Sequence, residues 1–279
     1  MANYTAADIK ALREKTGAGM LDVKKALDEA NGDADKALEI IRVKGLKGVA
    51  KREGRTVAEG LVAAQIVAEG DGETGVMVEV NSETDFVAKN QSFIDFADSV
   101  LAAAVATGAT DVETLLDTEV DGETVQAKVD NIAATIGEKI VVRRLVRVSG
   151  EKVASYLHRT AKDLPPSVGV LVATDAAGAE VGRDVAMHVA AYSPNYLGRD
   201  EVPADLVENE RRIAEETARN EGKPEAALPK ITEGRLNGFF KENVLLDQAF
   251  AKDPKKTVGK VVEEAGGTVT GFARFRVGS

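Results

Sequence analysis

The chain has 279 residues, 44% of them apolar and 29% charged, which suits a soluble globular protein with more than one core. Its net charge of −10 argues against a general nucleic-acid binder, which needs a basic footprint, and the absence of cysteine excludes disulfides and thiolate chemistry while permitting a reducing compartment. The N-terminal stretch "MANYTAADIKALREK" lacks the apolar region of a signal peptide and no run approaches the ~18 apolar residues of a membrane span, so a cytoplasmic location is expected.

Residues 5–45 read as three short helices. Thr5 and Asp8 have the spacing of a capping box ahead of an apolar stripe at Ile9 and Leu12. Thr16-Gly17-Ala18-Gly19 breaks that stripe, and a second begins with Met20, Val23 and Leu27. Asn31-Gly32 makes the next turn, and Asp33 can cap a third helix carrying Ala37, Leu38 and Ile41. Lys44, Lys47, Lys51, Arg52 and Arg55 follow, against Glu53 alone; a solvated linker and a local contact with phosphate or an acidic partner both fit this run.

From Gly60 the apolar period changes to two. "LVAAQIV" and "GVMVEV" flank "AEGDGET", a hairpin pattern with Asp71-Gly72 expected at its tip. The stretch "VEVNSETDFVAKNQSF", Val78 to Phe93, begins as a strand and ends as a helix. Phe93, Phe96, Ala97, Val100, Leu101 and Ala104 then form one face of an amphipathic helix. Another helix carries Val125, Val129, Ile132 and Ile136. "KIVVRRLVRV" reads as a strand with Ile140, Val142, Val146 and Val148 mostly on one face.

The order of elements then repeats. "KVASYLH" and "VGVLVAT" read as paired strands and "EVGRDVAMHVAAY" as a helix, so that "GVMVEV" and "GVLVAT" correspond in two α+β modules. "ADLVENERRIAEETARNEG", with apolar Leu206, Val207 and Ile213, is a charged helix broken by Gly222 and Pro224. "ALPKITEGRLNGFFKEN", with Ile231, Leu236 and Phe239, returns as a second, and the two read as a protruding antiparallel hairpin. "KTVGKVVEEAGG" is a short helix, and "TVTGFARFRV" is a closing strand expected to rejoin the second module's sheet, which makes the hairpin an insertion.

Little in the sequence points to chemistry. Of the two histidines, His188 shares a helical face with Val181, Val185 and Tyr192 and reads as a hydrogen-bonded core or interface residue, while His158 ends a strand and suits a surface contact. Two histidines and no cysteine make a transition-metal site unexpected. The phosphate-binding G-x-x-x-x-G-K-[ST] is absent, "TGAGM" reads as a turn, and no acid/base constellation is recognisable, so no enzyme and no cofactor are expected. Phe86 is the anomaly, a large apolar residue in the polar run Asn81-Ser82-Glu83-Thr84-Asp85. A lone Phe at such a junction is usually core, but Ala88, Lys89 and Asn90 offer it no apolar stripe. Asp85 is a candidate cap that would hold it in one direction.

"LREKTGAGMLDVKKALDEANGDADKALEIIR", "VEVNSETDFVAKN" and "AMHVAA", in this order, with "KTVG" and "VTGFARFRVG" near the end, closely resemble the bacterial translation elongation factor Ts family over nearly the whole chain. The resemblance implies a nucleotide-exchange factor for the GTPase elongation factor Tu, with an α+β fold divided into four parts. Residues 1–55 would be a partner-docking domain of three helices similar to a ubiquitin-associated domain, with its basic linker. Residues 56–149 would be one core subdomain, 150–202 with 244–279 the other, and 203–243 a helical hairpin touching the partner or a second copy. It implies further that Thr84, Asp85, Phe86 and Val87 dislodge Mg²⁺ from the partner, so that GDP leaves and GTP enters. Arg13, Met20 and Leu21 match N-terminal contact positions, Leu21 standing where many members have Met, and His158 resembles a contact toward another domain of the partner. "KDLPPS" looks like an insertion beside His158. No direct nucleic-acid or membrane partner is implied, and a homodimer within a 2:2 complex is compatible with the hairpin. The competing readings are an adaptor that binds its partner without promoting exchange and an enzyme using carboxylates in the cleft between the modules; without the resemblance the sequence reads as a cytoplasmic protein of two α+β modules suited to interaction rather than catalysis.

Overall fold

The computed structural model describes residues 3–279, the side chain of Ala50 apart, so Met1 and Ala2 of the N-terminal segment lie outside the described residues. Three helices open the chain: α1 (Ala6–Thr16), α2 (Met20–Glu29) and α3 (Ala34–Arg52). Thr5 and Asp8 form a reciprocal capping box, the Thr5 side chain accepting from the Asp8 N–H and the Asp8 carboxylate accepting from the Thr5 N–H. Gly17 ends α1 in the left-handed region at φ 68°, where a Cβ is disfavoured, which explains the first glycine of "TGAGM". Leu12, Ala18, Val23, Ala26, Leu27, Ala30, Ala37 and Ile41 form the small core of this trio. Met20, expected to share the stripe of Val23 and Leu27, is instead exposed at the first turn of α2, and Ala26 occupies the buried face.

The basic run is helical rather than a linker. α3 continues through Lys44, Lys47 and Lys51 to Arg52, leaving only residues 53–58 as a connection. The extension has a packing reason. α3 lies along a later helix, α7, so closely that a Cβ on Gly45 would stand 1.9 Å from the Ala134 carbonyl oxygen. The Arg52 guanidinium, half-buried, donates to the Ala133 carbonyl oxygen at 3.3 Å.

The next elements are β1 (Glu59–Glu69), β2 (Gly72–Ser82), α4 (Asp85–Ala88), α5 (Gln91–Thr107), α6 (Val112–Asp117), the short ribbon β3 (Glu119–Val120) and β4 (Glu123–Thr124), α7 (Val125–Ile136) and β5 (Val141–Gly150). The hairpin register pairs Glu69 with Gly72, so its tip is Gly70-Asp71, one residue earlier than expected, with Gly70 at φ 60°. The strands run in the order β1-β2-β5. A core of Val76, Val78, Val80, Phe93, Ala97, Val100, Ala104, Leu115, Val125 and Val129 joins one face of this sheet to α5, α6 and α7.

The expectation that Ile140, Val142, Val146 and Val148 share a face does not hold. Glu79 pairs with Arg144 but Val80 with Val142, so Arg143 is an extra residue in a bulge. A bulge resets the alternation of side chains. Ile140 and Val142 therefore face the helices, together with Leu145, while Val146 and Val148 face the opposite side.

A second sheet is built in the same order. β6 (Lys152–His158) and β7 (Val168–Thr174) form a pair, α8 (Ala179–Tyr192) follows, and the last strand returns beside β7. Between them come α9 (Ala204–Asn220) and α10 (Leu228–Asn243), packed together, the ribbon β8 (Ala249–Phe250) and β9 (Asp253–Thr257), α11 (Val258–Glu264) and finally β10 (Val269–Arg276), giving the order β10-β7-β6. Ala214, Ala218, Leu236 and Phe240 are buried in the helical pair, whereas Ile213 is exposed. α8 and α11 cover the outer face of the second sheet through Val170, Val172, Val185, Val189, Val258 and Val262.

The two sheets meet across Val62, Met77, Val153, Leu171, Ala173 and Phe275. The approach is close: a Cβ on Gly169 would lie 2.4 Å from Val62 Cγ1. An ion pair between a buried carboxylate and a half-buried guanidinium reinforces the joint. Arg144 Nε donates to the fully buried Glu79 carboxylate at 2.6 Å, Arg144 Nη2 donates to the Arg276 carbonyl oxygen at 2.8 Å, and the guanidinium lies over the Phe275 ring. The chain is thus a mixed α and β structure in which helices cover the outer faces of two apposed sheets.

His188 is fully buried, stacked on Tyr192, with Nε2 2.8 Å from Gln248 Oε1 and Nδ1 accepting from the Ala251 N–H at 3.1 Å. Nδ1 is therefore unprotonated and the ring neutral. Burial holds its pKa below the ordinary histidine value, against the hydrogen bond to Gln248. The unfolded chain takes up this proton as pH falls below about 6.5, while the folded chain resists it. The stabilisation is complete above that pH and is lost as pH falls through the folded pKa. Denaturant unfolding between pH 7.5 and 5.5 should show stability falling by at most about 1.4 kcal/mol per pH unit from this group, with a shallower slope in His188→Gln.

Gly45→Ala offers a second check. An exposed helical Gly→Ala change stabilises by about 1 kcal/mol; here the added methyl meets the Ala134 carbonyl, and thermal unfolding should show a loss of about 1–3 kcal/mol.

Candidate functional site

The site is the turn between β2 and α5. β2 is buried along most of its length, ending with Val80, Asn81 and Ser82 all buried, so it delivers the chain to the surface from a fixed position. Thr84, rather than Asp85, is the N-cap of α4: its Oγ1 accepts from the Val87 N–H at 3.4 Å. Asp85 is the first helical residue, where its negative charge suits the helix N-terminus. α4 ends after one turn and Asn90 caps α5, its Oδ1 accepting from the Ser92 N–H at 2.8 Å. A helix of four residues cannot hold itself, because nucleation costs more than one turn returns. Its neighbours hold it.

Phe86 projects from this turn and is 73% exposed, the most exposed of the large apolar side chains described. The core reading of Phe86 is therefore wrong. The reason is the phase of the single turn. Val87 and Ala88 point inward, 7% and 1% exposed, and Val87 belongs to the first core; the residue before them must point out. Of the four residues from Thr84 to Val87, Thr84 and Asp85 are half-buried, Phe86 is presented to solvent and Val87 is the anchor.

The surroundings of the ring are charged. Lys89 Nζ lies 4.7 Å from the Phe86 centroid, 3.7 Å from Asp85 Oδ2 and 3.8 Å from Asp163 Oδ2. Asp163 belongs to the "KDLPPS" segment, in the loop between β6 and β7, and the Pro166 carbonyl in the same loop accepts from the Val62 N–H at 2.9 Å. This loop begins at His158, which is exposed, with Nδ1 3.1 Å from the Tyr156 hydroxyl. The loop thus links the strand end that carries His158 to the base of Phe86.

Arg13, Met20 and Leu21 are all exposed, Met20 at 58% and Leu21 at 72%. They sit around the α1–α2 turn, and that turn packs on the start of α5: Ser92 Oγ donates to the Lys15 carbonyl oxygen at 2.8 Å, and Gly17 lies against Asn90. The structure therefore brings the N-terminal positions and the Phe86 turn onto adjoining elements.

Sequence reasoning missed Glu138. It follows Gly137, which ends α7 at φ 88°, and its half-buried carboxylate reaches the Phe86 turn. Oε2 accepts from the Glu83 and Thr84 N–H groups, both at 3.1 Å, and Oε1 accepts from the Thr84 hydroxyl at 2.7 Å. Glu83 answers with the reverse contact, accepting from the Lys139 N–H at 2.6 Å and from Arg55 at 3.1 Å. An acidic residue beside a glycine that ends a helix carries no local signal for a partner more than fifty residues away. Among the described residues, no group of His, Asp or Glu side chains is arranged to hold a metal ion, and no helix is long and apolar enough to cross a membrane.

Comparison with known proteins identifies the family of the chain. A family model described as elongation factor TS matches residues 83–279. Proteins named elongation factor Ts are similar along the full length of both chains: that of Beutenbergia cavernae is 70% identical, and those of Arthrobacter sp. (strain FB24) and Micrococcus luteus are each 66% identical. The chain belongs to the elongation factor Ts family.

Proposed function

We propose that this protein is the guanine-nucleotide exchange factor for elongation factor Tu in translation elongation, acting in the cytoplasm through binding alone and without covalent chemistry. The observation that carries the reading is Phe86, a large apolar ring held in solvent on a turn whose next two residues are buried. In this reading Thr84 to Val87 form the element that disturbs the partner's Mg²⁺ site: Phe86 and Asp85 enter the partner, Thr84 caps the turn and Val87 anchors it. Family membership supports the partner, and the exposure of Phe86 supports the mode of action.

The remaining parts have assigned roles. Residues 1–55 dock on the GTPase through Arg13, Met20 and Leu21, the last two giving an exposed apolar surface that suits a protein partner. Residues 56–149 form one core subdomain, and 150–202 with 244–279 form the other, which offers His158 to a further part of the partner. The α9–α10 hairpin, 203–243, contacts the partner or a second copy in a 2:2 assembly.

Magnitudes require this breadth. A nucleotide held at about nanomolar Kd is bound by about 12 kcal/mol. Burial of one Phe side chain yields about 1.5–3 kcal/mol. Phe86 therefore cannot displace GDP by its own burial. Wide contact with the nucleotide-free partner supplies the affinity, and Phe86 supplies the coupling, because its binding place exists only when the Mg²⁺ site is distorted. Linkage makes the effect reciprocal: the factor by which this protein weakens GDP is the factor by which GDP weakens this protein.

Stopped-flow release of labelled GDP from elongation factor Tu tests the proposal. Phe86→Ala should slow the maximal rate sharply while complex formation weakens only moderately; an unchanged rate at saturation overturns the role of Phe86. Thermal unfolding provides the matching control. Phe86→Ala should stay within about 0.5 kcal/mol of the parent, as an exposed substitution does, whereas Val87→Ala should lose about 1.5–3 kcal/mol of buried side-chain contribution.

A further inference from the structure

We infer that Glu138 is a positioning residue for Phe86, and that the reciprocal pair Glu138–Glu83 forms a carboxylate clamp that sets the turn before a partner arrives. The inference rests on the exchange role proposed for Phe86 and adds a residue that acts through it.

The argument begins with donors. The Glu83 and Thr84 N–H groups precede α4 and have no place in its hydrogen bonding. Left to solvent, they would allow the backbone from Ser82 to Asp85 to rotate. One carboxylate oxygen of Glu138 takes both, and its other oxygen takes the Thr84 hydroxyl. A carboxylate is suited to this, since it accepts at several positions and donates at none. Thr84 is the N-cap whose Oγ1 also receives the Val87 N–H, so the clamp fixes the cap, and the cap fixes the phase that turns Phe86 outward and Val87 inward. Ser82 Oγ closes the same turn by donating to the Thr84 carbonyl oxygen at 3.1 Å.

The clamp also has a defined base. Glu138 follows the C-terminus of α7, and α7 is the helix that α3 rests on at Gly45 and Arg52. Glu83 accepts from the Lys139 N–H and from Arg55, just beyond α3, and Lys139 Nζ donates to the Glu53 carbonyl oxygen. The turn bearing Phe86 is thereby bonded to the helix on which the N-terminal trio is seated. The trio carries the exposed Met20 and Leu21, so docking through those residues and presentation of Phe86 share one rigid base.

Five proteins test the inference: the parent, Phe86→Ala, Glu138→Ala, Glu138→Gln, and Glu138→Ala combined with Phe86→Ala. A glutamine can keep the arrangement, its carbonyl oxygen accepting from the two N–H groups and its amide donating to Thr84 Oγ1. Glu138→Ala should lower the maximal GDP-release rate by roughly tenfold to a hundredfold, the scale of a misplaced group, with little change in the half-saturating concentration. Glu138→Gln should restore most of the rate, and Glu138→Ala should add nothing once Phe86 is Ala. A parental rate in Glu138→Ala, no rescue by Gln, or a further slowing in the double variant overturns the inference. Amide exchange on the free protein separates it from the exchange role. The Glu83 and Thr84 amides should be protected in the parent and in Glu138→Gln and unprotected in Glu138→Ala; equal protection in all three overturns the clamp whatever the GDP-release assay shows. A parental GDP-release rate in Phe86→Ala, with the amides still sensitive to residue 138, instead removes the exchange role and leaves the clamp.

Discussion

The outward setting of Phe86 depends on the inward setting of its neighbours. In a single helical turn the directions of successive side chains are linked, so burying Val87 and Ala88 leaves Phe86 no direction but solvent. The constraint is energetic in one sense and geometric in another. The core gains the burial of Val87, and the surface receives an exposed ring with the Lys89 ammonium beside it. An apolar group in water is unfavourable in isolation. It persists because withdrawing it would expose Val87 or break the Thr84 cap.

The rest of the molecule can be understood as support for that turn. β2 is the central strand of its sheet and is buried on both faces, one against α5 and α7 and the other against the second sheet, so the chain reaches Ser82 along a track that cannot slide. α5 restarts at once after the turn, with Phe93 fully buried. From the side, the loop between β6 and β7 places Asp163 beside Lys89, and from below Glu138 receives the free N–H groups. Two regions distant in sequence thus converge on the turn between β2 and α5.

The N-terminal trio is tied into this support rather than suspended from it. Had residues 44–55 been a flexible linker, the exposed Met20 and Leu21 would be positioned independently of Phe86. Because α3 runs unbroken to Arg52 and lies on α7, the two sets of exposed apolar residues share one framework. A rigid framework lowers the ordering entropy lost on association. That matters to the proposed exchange role, in which many weak contacts must act together against a tightly held nucleotide.

The sequence by itself determined much of this molecule. Periodicity and capping residues placed the three N-terminal helices, the long hairpin, α5 and the charged helical pair, because each is set by contacts within a few residues or by a pattern that repeats along one element. The long motifs also carried the family resemblance. Tertiary structure decided what depends on residues far apart. The basic run continues as helix packed on α7, where Gly45 meets Ala134; Met20 stays exposed at the first turn of α2 while Val23, Ala26 and Leu27 are buried; and the bulge at Arg143 turned Val146 and Val148 toward the second sheet. Phe86 shows the division most clearly. Its polar neighbours and the absence of an apolar stripe raised the possibility of exposure, but only the burial of Val87 and the reach of Glu138 across the fold decided it. A hydrogen bond spanning more than fifty residues has no local pattern, since either partner could satisfy itself with water in an unfolded chain.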